Sequence, residues 1–196
     1  MTVSKSRHEC PKADASRFGC ECRELAGRIH IPQIREYCNR LKHDALLFDE
    51  LFCRLEDEDR RTACNAAWIF THLDNATSLH LSARYDELSG IAMQTDDPTL
   101  RRLLLTLIFR LPVPEPLHIG LFDFCLREML SCRQPHGVRC LCMKIAGRAS
   151  ARHPELHEEL RQTLEIMEPD LLPPSMRSAQ RSTLRLLEKY RKALKR

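Results

Sequence analysis

Three stretches of the chain carry the same internal spacing at nearly the same interval, and that repetition constrains the fold more than any other feature. RRTACNAAWIFTHL at 60–73, TLRRLLLTLIFRL at 99–111 and HGVRCLCMKIAGRA at 136–149 superpose on Phe70, Leu107 and Ile145, which stand 37 and 38 residues apart. In that register the positions three and seven residues upstream are apolar or small each time: Ala67 and Ala63, Leu104 and Leu100, Cys142 and Val138. Such spacing marks one face of an α-helix. A unit that recurs at this interval and cannot bury its apolar face alone must bury it against its neighbours.

Each stretch opens with helix-start chemistry. Asp57, Glu58 and Asp59 precede the first, Asp97-Pro98 the second and Pro135 the third. An acidic cap satisfies the free amides of a first turn, and proline lacks the amide that would need satisfying. A fourth stretch, PPSMRSAQRSTLRLLEKYRKALKR, starts at Pro173, Pro174 and Ser175. If Leu184 is its equivalent of Phe70, then Arg181 and Arg177 fall where the others are apolar, as expected of a terminal element with a polar outer face.

Between these stretches lie segments with their own helical stripes. Residues 44–56 place Leu47, Leu51 and Leu55 on one side, 79–93 Leu81, Tyr85, Leu88 and Ala92, 117–131 Leu121, Phe122, Cys125 and Met129, and 156–167 Leu156, Leu160, Leu164 and Met167. The chain therefore alternates a helix A with a helix B about four times. Through AAWIFTHL, VRCLCMKIAGRASARHPEL and SMRSAQRSTLRLL it resembles HEAT repeats, particularly small bacterial HEAT-like proteins, over roughly residues 40–190. The resemblance implies an all-α, α-α superhelix, an armadillo-like solenoid of about four helix pairs. The expected division is an N-terminal extension at 1–30, with a short helix at Glu21 to Ala26, and a repeat domain at 31–196.

Four groups of residues could carry chemistry. His8, Cys10, Cys20 and Cys22 offer nitrogen and sulfur ligands suited to zinc, but their His-x-Cys and Cys-x-Cys spacings lack the two-residue knuckle of a structural site. They are weak metal candidates, and no cofactor is expected. Cys140 and Cys142 point about 200° apart on a helix and cannot share an ion; Cys142 reads as a small core residue. Trp68 is the single tryptophan. The chain is similar, at the level of helix pairing, to DNA-alkylation-repair glycosylases built from HEAT-like repeats, whose pocket pairs a tryptophan with an acidic residue at helical distance. Here Ile69, Phe70, Thr71 and His72 follow Trp68, and the acid is missing.

Charge supplies the last group. Net charge is +4, and it is unevenly spread. The A segments 44–58 and 155–170 each set one arginine against six acids, whereas the B segments are basic. In stacks of this type B helices line the concave side, so Arg101, Arg102, Arg139, Lys144, Arg148, Arg152 and Arg185 become candidates for contacting an acidic partner or phosphates. No nucleophile elbow, phosphate loop or His-Glu-x-x-His is present, so no catalytic residue is expected. The expected role is a non-catalytic interaction scaffold with a protein partner, the alternative being a nucleic-acid-binding protein. Without a signal peptide or an apolar run of about 18 residues, a cytoplasmic location and no membrane contact are expected.

Overall fold

The computed structural model describes residues 22–151 and 153–194, and all regular structure among them is helical. The helices are α1 (Ile31–Arg40), α2 (Ala45–Cys53), α3 (Arg60–Thr71), α4 (Asn75–Ser78), α5 (Tyr85–Gln94), α6 (Pro98–Arg110), α7 (Ile119–Leu130), α8 (His136–Ser150), α9 (His157–Glu165) and α10 (Pro174–Leu194). Short 3-10 turns extend several of them, including Arg54–Glu56 after α2 and Leu79–Arg84 before α5. Aspartates start the helices as their positions suggest. Asp59 accepts from the Thr62 amide at 3.0 Å and Asp97 from the Thr99 amide at 2.7 Å. Such a cap is worth about 1 kcal/mol.

The chain divides into two compact units, one ending at His72 and one beginning at Leu73. In the N-terminal unit α1 packs against α3, as do the 3-10 turns Arg23–Ala26 and Arg54–Glu56. Leu25, Ile34, Leu51, Phe52, Leu55 and Phe70 form its core, with the Phe48 and Phe70 rings edge to face at 5.2 Å. Within the stretch read above as an extension, Cys22, Leu25 and Ile29 are buried in this core, while Glu24, Ala26, Gly27, Arg28 and His30 are exposed.

In the C-terminal unit each A helix packs on its B helix, α5 on α6, α7 on α8 and α9 on α10, while α8 also packs on both α6 and α10. The result is a layer of A helices (α5, α7, α9) on a layer of B helices (α6, α8, α10). The nine superposed positions, Phe70, Ala67 and Ala63 with their counterparts in α6 and α8, are all 6 % exposed or less.

The fourth B helix obeys the same period in a register one residue from the expected one. Thr183, not Leu184, stands 38 residues after Ile145, and Met176 and Gln180 stand 38 after Val138 and Cys142. All three are buried, while Leu184 is half-buried and Arg181 exposed. Two of the core positions are polar and satisfied internally. Gln180 Nε2 donates to the carbonyls of Leu164 (2.8 Å) and Met167 (2.7 Å) at the end of α9. The Thr183 hydroxyl reaches the Met143 carbonyl of α8 at 3.4 Å. At this crossing Gly147 admits α10: a Cβ there would meet Thr183 Cγ2 at 2.8 Å, inside van der Waals contact.

Candidate functional site

The B helices carry two rows of side chains, adjacent in sequence, with different fates. The first row is Arg101, Arg139 and Arg177, spaced 38 residues apart. Each reaches back to carbonyls at the end of its own helix pair's A helix or in the turn after it. Arg101 Nε donates to Ala92 O at 3.1 Å, and its Nη2 to Thr95 O. Arg139 Nε donates to Met129 O at 2.9 Å, and Arg177 Nη2 to Leu172 O at 3.3 Å. The last carbonyls of a helix have no partner within it and carry the negative end of its dipole, so a guanidinium is the natural donor. Arg101 is 9 % exposed, with a further bond to Gln134 Oε1 and its guanidinium 5.8 Å from the centre of the Phe124 ring.

Two further arginines, one on α6 and one on α8, bond to carbonyls about one repeat length earlier in the chain. Arg110 Nη2 donates to Leu73 O at 2.8 Å, 37 residues back, and Arg148 Nη1 to Phe109 O, 39 residues back. Arg148 also lies over the Phe109 ring at 5.3 Å. Hydrogen bonds to charged groups contribute about 1.5–3 kcal/mol each, which places these cations in the architecture.

One residue on, the second row faces outward. Consecutive helical residues are turned by about 100°, and Arg102, Cys140 and Ser178 line a groove of about 430 Å³ running across α6, α8 and α10. One turn further, Thr106, Lys144 and Ser182 line it as well. The floor is small and hydroxyl-bearing: Gly137, Ser175 and Ala179 complete it together with Leu141, and no acid is among the lining residues. Arg102 and Lys144 are exposed and, among the described residues, neither forms an ion pair. Lys144 Nζ rests 5.9 Å from the centre of the Phe109 ring.

The family model described as a HEAT repeat domain matches residues 22–187. The chain belongs to the HEAT repeat family. No curated protein and no solved structure matches it. HEAT repeats typically mediate protein interactions, and the groove of this HEAT protein lies on its B-helix layer.

Of the seven cations singled out in the sequence, Arg102 and Lys144 meet in the groove and Arg185 is exposed one turn beyond Ser182. Arg101 is withdrawn into the interior, Arg139 and Arg148 are half-buried and bonded to carbonyls, and Arg152 lies outside the described residues. His8, Cys10 and Cys20 also lie outside them, and Cys22 is buried. Among the described residues no three His, Cys, Asp or Glu side chains are placed to hold a metal ion. Cys142 is fully buried, and its partner is one that helical spacing could not reveal. It hydrogen-bonds Cys125 on α7, and that bond together with burial pushes the Cys125 thiol well above its ordinary range. Trp68 is half-buried, with its ring edge-on to His72 at 5.6 Å. Among the described residues no helix is long and apolar enough to cross a membrane.

Proposed function

We propose that this HEAT protein is a non-catalytic scaffold that holds an acidic segment of a partner protein in the groove across α6, α8 and α10. The observation that carries the reading is the pairing of Arg102 and Lys144, exposed and without a carboxylate neighbour among the described residues, over a floor of small and hydroxyl side chains. Small side chains let a backbone approach closely, hydroxyls serve as donors or acceptors, and two cations set polarity and encounter rate. Nucleic acid is the weaker reading. With Arg101, Arg139 and Arg148 bonded to carbonyls, Arg102 and Lys144 are the cations left among the groove's lining residues for the phosphate contacts that dominate such binding.

Fluorescence anisotropy with a labelled glutamate- and serine-rich decapeptide tests this directly. The wild-type chain should bind it with an affinity that falls as salt rises, and Arg102→Glu with Lys144→Glu should weaken it at least tenfold. Equal binding of the glutamine-for-glutamate peptide would contradict the proposal. So would duplex or single-stranded DNA binding more tightly than the peptide, which would favour the second reading.

A further inference from the structure

The N-terminal unit contains an open cleft of about 500 Å³ that the groove reading leaves unused. One wall is α3, where Arg61, Asn65 and Trp68 succeed one another at helical spacing and share a face. The other wall is the segment leading into α1, with Arg28, His30 and Ile31. Asn65 fixes the walls to each other: its side-chain amide donates to Leu25 O at 2.7 Å and to Gly27 O at 3.0 Å. The Trp68 ring lies edge-on to the His72 ring at 5.6 Å.

The composition is that of a binding hot spot. Trp68 is half-buried and Ile31 is 44 % exposed, two large apolar side chains that line the same concavity from its two walls. Arg28 and Arg61 stand exposed among the same lining residues, and no acid is among them. Tryptophan and arginine dominate the energetics of protein interfaces, and a guanidinium binds a carboxylate through two parallel bonds. The cleft is too open to enclose a small molecule, whose sites cover most of the ligand surface; it suits a chain passing through.

We propose that this cleft binds a short acidic peptide by one apolar anchor laid on Trp68 and Ile31, with flanking carboxylates on Arg28 and Arg61. The site is separate from the groove and stands whether or not the groove binds.

The single tryptophan makes the test specific, because all tryptophan emission from this chain comes from the cleft. The full chain carrying Arg102→Glu and Lys144→Glu, which removes the groove's cations, is titrated with blocked pentapeptides of the form Glu-Glu-X-Glu-Glu. With X as Leu or Phe the emission should change saturably. Affinity should fall at least tenfold with X as Ser, with glutamine in place of the four glutamates, and with Arg28→Glu and Arg61→Glu added. The Arg28→Gln and Arg61→Gln pair should give an intermediate loss and guards against a folding defect in the reversal. The proposal is overturned by an absence of saturable change with every peptide, by affinity that ignores both arginine pairs, or by oligothymidine binding more tightly than the best peptide.

Discussion

Arg101 and Arg102 are neighbours in sequence and belong to different parts of the molecule. The first closes the end of an A helix, nearly buried, with its donors on Ala92 and Thr95 carbonyls and on Gln134. The second stands in the groove. The same division recurs one repeat later at Arg139 and Cys140, and again at Arg177 and Ser178. A helical repeat thus uses one face of its B helix to hold itself together and the adjoining face for contact, and the 38-residue period copies both. On the inner face arginine recurs at 101, 139 and 177, where a long side chain reaches the orphaned carbonyls, and in the last repeat Gln180 adds an uncharged donor to the end of the A helix. The groove face is free to vary, as arginine, cysteine and serine in one row demonstrate.

The largest effect that would sharpen this contrast lies at the last repeat, where an uncharged donor closes the A helix. Gln180→Ala strips the Leu164 and Met167 carbonyls of their partner and opens a cavity at a site 4 % exposed. A loss of about 3 kcal/mol in urea unfolding is expected, from an unsatisfied buried polar group plus the cavity. A loss no larger than that of an exposed substitution, about 0.5 kcal/mol, would mean that the internal bonds of α10 are incidental.

The smallest effect belongs to exposed charges of α9 on the side that adjoins α10. Arg161 binds Glu158 (2.6 Å) and Glu165 (2.5 Å) on α9. The Arg161 hydrogen bond, helped by Gln162, holds the Glu158 carboxyl at about 2, below its ordinary value of 4.5. A depressed carboxyl supports the fold above its unfolded pKa and ceases to do so as pH falls through the folded value, so this contribution is lost between about pH 4.5 and 2. Arg161→Ala should move the Glu158 titration, followed by carboxyl carbon NMR, upward toward 4.5. Because these groups are exposed, the readout is the titration rather than stability.

The fold was legible because burial follows a period. Phe70, Leu107 and Ile145, with the residues three and seven before them, could be read from apolar character alone, and the structure buries all nine. The last repeat slipped by one residue because Gln180 and Thr183 hide core positions behind polar side chains, whose carbonyl partners are visible only in three dimensions. The candidate site was half legible. A basic B helix can be recognised in sequence, but whether a guanidinium turns inward to a carbonyl or outward to solvent depends on where the preceding helix ends. For that reason Arg101 and Arg139 read like Arg102, and the Cys125 partner of Cys142 went unseen.

The most direct test exchanges the two neighbours one at a time. Arg101→Met and Arg102→Met are compared for urea unfolding and for binding of the acidic decapeptide. The account predicts that Arg101→Met loses about 3 kcal/mol of stability through its bonds to buried carbonyls, with peptide affinity unchanged while folded. It predicts that Arg102→Met stays within about 0.5 kcal/mol of wild type and binds the peptide severalfold more weakly. Equal stability losses in the two variants, or weakened binding only in Arg101→Met, would contradict it.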